Sequence, residues 1–325
     1  MFSAWFAGTR RVPLVAALAC GVLIPRAETQ TYRGRAAEQW IADLASGDLD
    51  QRWYAAHGLA QIGPGAAAAV GPLLAILADR AEFEYVRAAA AFALGRIGAD
   101  PDRVVPLLAE TLSSDLASVR RNSARALGRF GREAQPAVER MIDALDREDA
   151  VFRVELAEAL WHVARHPRAL PLLAEQVRRE AGPAALEAAE ALGRLAERSP
   201  EAIAPLLVQA LDSENGDLAR SAAQALGRAG RGVLPHVAAA LQSGQPAARR
   251  RAAEALVWMG QPGTAGLIAA LSDPAAAVRR TAARGLGRLG RAAREAEPAL
   301  LRAASDPDPT VRGAAAAALR QISSG

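Results

Sequence analysis

Nine leucines recur along this chain at intervals of 30 to 35 residues: Leu59, Leu94, Leu127, Leu160, Leu192, Leu226, Leu256, Leu286 and Leu319. Alanine stands three residues before every one of them, from Ala56 and Ala91 to Ala316, and an apolar residue stands three after, from Ile62 and Ile97 to Ile322. Positions −3, 0 and +3 share one face of a helix, so each copy predicts an amphipathic helix with a buried stripe and a small residue for close approach. Gly63, Gly98, Gly131, Gly230, Gly260 and Gly290 follow six of the nine leucines by four residues, where a helix ends on a residue free to take positive φ. Some twenty residues upstream of most copies a second apolar helix is expected, opened by Pro72, Pro106, Pro171, Pro205 or Pro235 in its first turn. Neither helix buries its stripe alone. The hairpins must therefore stack into a right-handed or gently curved array, an all-α superhelix of nine two-helix repeats spanning residues 28–325.

Composition agrees with this reading. Of 325 residues, 51% are hydrophobic but only 14 are aromatic, which leaves Ala and Leu to form helices. The single cysteine excludes an internal disulfide and a cysteine-rich zinc framework. Every one of the 39 basic residues is Arg, set against 35 acids.

Residues 1–27 break the pattern. Arg10-Arg11, an apolar run from Val12 to Ile24, and Pro25-Arg26-Ala27 predict an export signal or a membrane-targeting segment. The run's 13 residues would span about 20 Å as a helix, short of the roughly 30 Å hydrocarbon core. Ala17-Leu18-Ala19-Cys20 is similar to a lipoprotein box, which would acylate Cys20, while Thr9-Arg10-Arg11 is similar to a twin-arginine signal. As an inert apolar residue Cys20 would have no such role. Membrane contact is expected only through this segment or a lipidated Cys20. The expected location is the periplasm or cell envelope of a bacterium, with the cytoplasm as the alternative. Removing Arg10, Arg11 and Arg26 with this segment leaves 36 arginines against 35 acids, so the array itself is nearly neutral.

Segments such as Val86-Arg87 through Ala93-Leu94-Gly95-Arg96-Ile97-Gly98, and Val278-Arg279 through Gly285-Leu286-Gly287-Arg288-Leu289-Gly290, resemble HEAT repeats of the short type found in phycobilin-lyase-like proteins. The resemblance runs from about Tyr32 to the C-terminus. It implies a HEAT/armadillo-like solenoid and says little about activity.

Arg recurs seven residues before the anchor in seven copies: Arg52, Arg87, Arg120, Arg153, Arg249, Arg279 and Arg312. Asp48, Asp115, Asp149, Asp273 and Asp308 precede most of these in the turn between helices, which predicts a structural ladder of Arg–Asp contacts within or between units. Positions −6, −5, −2 and +2 point away from the buried stripe. If the array follows the HEAT resemblance, they face a concave groove. Trp53, Tyr54, His57 and Phe92 make its first stretch aromatic, and Arg96, Arg121, Arg125 and Arg129 make the next basic. Glu155, Glu158, Glu187 and Glu190, with His162, form an acidic band. Arg220, Arg228, Arg250, Arg251, Arg280, Arg284 and Arg288 return the groove to basic, with Trp258 in their midst.

Alternating bands suit a protein or extended peptide with complementary charge, whereas a phosphate backbone would want uniform positive charge; no nucleic acid is expected. Trp53 and Tyr54 could instead cover the end of the array against Trp40-Ile41, and Trp258 could pack within its hairpin. Catalysis lacks residues. The His-Glu pairs that carry iron in deoxyhypusine hydroxylases are missing, and Arg250 and Arg251 occupy the corresponding place in the seventh copy. Glu155, Glu158 and His162 could approach a divalent ion, but one imidazole among carboxylates is a poor set, and no metal or other cofactor is expected. His57, His166 and His236 are isolated. There is no lysine for a phosphate loop and no Gly-x-Ser-x-Gly elbow. The expected function is a monomeric, non-catalytic scaffold. A metal-dependent enzyme of deoxyhypusine-hydroxylase or phycobilin-lyase type, and arginine-mediated nucleic-acid binding, are the alternatives.

Overall fold

A computed structural model describes residues 31–146, 149–179 and 182–324. The segment expected to direct export, with Arg10, Arg11, Cys20 and Arg26, lies outside the described residues. A two-residue hairpin, β1 (Thr31–Tyr32) and β2 (Arg35–Ala36), leads into the first pair, α1 (Ala37–Asp43) and α2 (Leu49–Ile62). Eight further pairs follow among the described residues. They are α3 (Val70–Ala78) with α4 (Glu84–Ile97), α5 (Pro101–Thr111) with α6 (Ala117–Phe130), and α7 (Val138–Ala144) with α8 (Ala150–Ala164). Next come α9 (Ala169–Arg178) with α10 (Gly182–Ala196), α11 (Pro200–Gln209) with α12 (Gly216–Arg228), and α13 (Leu234–Ala240) with α14 (Pro246–Met259). The array closes with α15 (Thr264–Ala270) and α16 (Ala276–Leu289), then α17 (Glu297–Ala303) and α18 (Pro309–Ser324).

The anchor leucines are fully buried in the first eight copies, and the alanines at −3 are buried with them. In the ninth, Leu319 and Ala316 are only half-buried, since among the described residues no repeat packs on the downstream side of α18. All six glycines at +4 have positive φ, from +55° to +80°, and stop their helices as the spacing requires. Two prolines differ from expectation. Pro106 and Pro205 lie inside α5 and α11, because each helix starts earlier, at Pro101 and Pro200. Those two take the first helical position, where a missing amide costs least.

The glycine directly after the anchor has a separate task. A Cβ on Gly95 would sit 2.6 Å from the backbone of Ala126 on the next inner helix, and one on Gly128 would sit 3.1 Å from Ala159. The Leu-Gly-Arg-x-Gly segments thus carry one glycine for helix contact and a second for termination. Close contact brings the second helices of successive pairs together along the whole array, while the first helices meet one another over much shorter stretches. A tight layer backed by a looser one curves the stack. The second helices line its concave side.

The arginine ladder exists, and its rungs join neighbouring units. Arg249 grips Asp273 with two bonds of 2.7 and 3.0 Å, Arg279 grips Asp306 at 2.7 and 2.8 Å, and Arg52 grips Glu82 at 2.7 and 2.8 Å. In each case the carboxylate belongs to the turn of the following repeat. The remaining guanidinium nitrogen reaches the carbonyl six residues back, at 2.8 to 2.9 Å, in Arg52, Arg120, Arg249, Arg279 and Arg312. Arg87 is buried and donates twice to the Leu77 carbonyl. Asp48 and Asp308 are not rungs. Their carboxylates cap helices by accepting the amides of Gln51 and Thr310, which have no intrahelical partner, while Asp149 caps the Phe152 amide and also accepts from Arg121 of the preceding repeat.

Trp40 closes the first end of the array. Its ring lies over Gly58, near Tyr32, with the Arg35 guanidinium 3.9 Å from the ring centre. Trp53 is partly buried against the core and Tyr54 is exposed.

Candidate functional site

The groove face of α2 and α4 carries an aromatic track. Trp53 meets Tyr54 edge-on at 4.9 Å and His57 at 4.1 Å, His57 lies 5.9 Å from Phe92, and Arg129 stands 5.1 Å above the Phe92 ring. The His57 Nδ1 sits 3.1 Å from the Trp53 carbonyl, so this histidine is held within its own helix. Tyr54 is 55% exposed at the mouth of the track. Burial, with Arg96 and Arg125 nearby, lowers the pKa of Arg129 from its ordinary value.

The middle of the groove is a cavity of about 740 Å³ lined by Phe92, Arg125, Arg129, Glu155, Glu158, His162, Glu187, Arg194 and neighbouring residues of α6, α8 and α10. Its basic and acidic bands are zipped together. Arg125 bonds Glu155, Arg121 bonds Asp149 at 3.2 Å, and Arg194 grips Glu158 with two bonds of 2.7 and 2.8 Å while holding Glu187 at 3.2 Å. Arg194 occupies the same +2 position as Arg129 and Arg228, the sequence signal that marks it as a groove residue. Its hub position depends on carboxylates from two repeats.

Glu155 departs most from a solvated groove residue. It is 3% exposed, one of its carboxylate oxygens is buried without a hydrogen-bond partner, and burial pushes its pKa up to about 7 against the pull of Arg125 and Arg121. Glu155 therefore belongs to the groove floor, and Arg251, at the same −5 position on α14, is buried likewise, whereas Tyr54 at −5 on α2 is exposed. His162 lies 3.9 Å from Glu158, and burial lowers its pKa. Among the described residues, no three His, Cys, Asp or Glu side chains converge as a metal set. Glu155, Glu158 and Glu187 face guanidinium groups instead. Outside the groove, His166 accepts the Arg168 amide in a turn and His236 meets Glu201 on the outer layer.

The downstream groove has spare charge. Arg220 bonds Asp217, both Arg250 and Arg251 bond Glu254, and Arg280 reaches Thr310 at 3.5 Å. Arg228, Arg284 and Arg288 are exposed and have no hydrogen bond or ion pair among the described residues. Trp258 is 50% exposed between them. It shares a 200 Å³ recess with Glu254, Arg284 and Arg288.

Stacked helical hairpins around a charged concave groove define an α-solenoid. The family model described as HEAT repeats matches residues 37–128, 70–161, 204–265 and 264–324, and the chain belongs to that family. No curated protein matches it. Solved structures similar to it include the complex of CpcE and CpcF of phycocyanin lyase from Nostoc sp., at 24% identity over 76% of this chain and 92% of that one, with a TM-score of 0.46. Human deoxyhypusine hydroxylase in complex with glycerol is similar at 22% identity over 89% and 96%, with a TM-score of 0.36. Importin beta is similar at 16% identity over 89% of this chain and 45% of that one, with a TM-score of 0.47.

Proposed function

We propose that this protein is a non-catalytic scaffold that binds a protein or extended peptide along its concave groove. The observation that carries the proposal is the contrast between two halves of that groove. In the centre, charges are consumed by ion pairs across repeats, as in Arg194 with Glu158. Downstream, three exposed arginines have no ion pair among the described residues, and a tryptophan beside them is half exposed. Tryptophan and arginine are the side chains that most often anchor protein interfaces. Trp53, Tyr54 and Phe92 offer a second anchoring track at the far end. Export to the cell envelope belongs to the same proposal and rests on the charge and apolar pattern of residues 1–27.

A photo-crosslinking amino acid placed at Trp258 or Arg284 tests the groove against the outer-layer position Arg140 in the native cell. A discrete polypeptide captured from the groove positions and not from Arg140 is the expected result. Equal capture from all three would overturn the assignment. Mass spectrometry of the mature N-terminus tests export, since a chain retaining Met1 in the soluble fraction contradicts it.

A further inference from the structure

Position +2 of each inner helix tends to reach back to the preceding repeat. Arg96 bonds the Ala60 carbonyl, Arg129 covers the Phe92 ring, and Arg194 takes Glu158. The pattern stops downstream for an identifiable reason. Glu254, the acid that faces Arg288 across their shared recess, is held by Arg250 and Arg251 of its own helix. Glu190, beside Arg228, lies 3.9 Å from Arg194. Arg228, Trp258 and Arg288 are thus left as three consecutive +2 residues with outward-facing, unused side chains. Over the groove positions of α12, α14 and α16 there are seven arginines and one glutamate.

Packed helices lie about 8 to 10 Å apart, so these three side chains are spaced by about that distance along the groove. A polyproline-II segment rises about 3.1 Å per residue with three residues per turn, which puts every third side chain on one face about 9 Å apart. The two repeats match. We propose that copies six to eight bind an extended acidic segment of the form acid-x-x-apolar-x-x-acid. Its apolar residue lies on Trp258, one acid meets Arg228, and the other, with a neighbouring acid, meets Arg288 and Arg284. Gly227 helps to present the indole, since its missing side chain leaves the room that the Trp258 Cβ fills. Single-stranded nucleic acid fits less well, because it carries a charge at every nucleotide, whereas the free cations here, Arg228 on α12 and Arg284 with Arg288 on α16, are separated by the α14 repeat that presents Trp258 and Glu254.

This inference rests on the groove reading above and adds the chemistry of the occupant. Its test uses the full chain and two fluorescein-labelled peptides of identical composition, one with Glu, Leu and Glu-Glu at three-residue spacing and one with them adjacent. Fluorescence anisotropy should show the spaced peptide binding about tenfold more tightly, with affinity falling as salt rises. Arg288→Glu and Trp258→Ala should each weaken it about tenfold without moving the melting curve, while Arg140→Glu, which removes the same charge from the outer layer, should have little effect. Equal affinity for the two peptides, or an equal loss in Arg140→Glu, overturns the inference. Oligo(dT) that outcompetes the spaced peptide also overturns it, in favour of nucleic acid. A polypeptide crosslinked at Trp258 that lacks such an acidic segment defeats the inference and leaves the groove reading standing.

Discussion

Arg249 and Asp273 meet across a repeat boundary through two parallel hydrogen bonds of 2.7 and 3.0 Å, with both side chains almost wholly enclosed. The same arginine ties the Ser243 carbonyl of its own turn, and the same aspartate caps the turn ahead of α16 through the Ala275 amide. One pair thereby sets the position of two inter-helix turns. Loss of either member leaves the other enclosed without its counter-charge. Arg249→Leu and Asp273→Leu should each lower the melting temperature clearly, and the double variant should lose much less than the sum. Differential scanning calorimetry of the three variants checks this, and simple additivity would refute the coupling.

The ladder also has a pH signature. Arg279 and the Asp308 amide hold Asp306 below the usual carboxylate range, and Arg249 with the Ala275 amide does the same for Asp273 against the opposing effect of burial. A depressed carboxylate stabilises the fold above its unfolded pKa, and that contribution disappears as pH falls through the folded value. Wild type should therefore lose stability on acidification below about pH 4, and Asp306→Asn should lose less over that range. Parallel slopes in melting experiments would contradict this.

Glu155 behaves in the opposite sense. Its folded pKa of about 7 exceeds the unfolded value, so the folded state holds the proton more tightly and stability falls as pH rises toward 7. His162, depressed by burial, acts in the other direction over part of this window, so only a comparison with the variant isolates Glu155. Glu155→Gln should match wild type near pH 4.5 and be the more stable protein at pH 8. Melting temperatures that differ by a constant amount across this range would exclude the assignment.

Gly95 and Gly313 separate the two uses of glycine in the inner helices. Alanine at Gly95 would meet the Ala126 backbone at 2.6 Å and should cost about 1 to 3 kcal/mol by forcing α4 from α6. Gly313 lies in α18 with nothing within 4 Å of an added Cβ, so Gly313→Ala should stabilise by about 0.5 to 1 kcal/mol. Urea denaturation reads both signs.

A buried hydroxyl pair gives the sharpest local test. Thr111 and Ser123 lie 2.7 Å apart between α5 and α6, with Thr111 also bonding the Leu108 carbonyl. Ser123→Ala alone should cost about 1 kcal/mol, while Ser123→Ala with Thr111→Val should be close to neutral, since no donor is then left enclosed without a partner. A double variant as unstable as the sum of its parts would disprove this account.

The sequence by itself determined the number of units, the buried stripe, the glycine stops and the side of each inner helix that lines the groove. All four follow from helical period, which acts within about fifteen residues and needs no knowledge of the neighbour. It could not determine partners. Whether Arg249 takes an acid from its own turn or the next, whether Glu155 is solvated or floors the groove, and whether Trp53 or Trp40 closes the end depend on the register between helices some thirty residues apart. Packing sets that register: Gly95 against Ala126 fixes how near two inner helices lie, and that distance decides which charges can reach each other. Arg194 became a hub and Arg288 stayed free for this reason. Both are arginines at +2, distinguished only by what the adjacent repeat brings within reach.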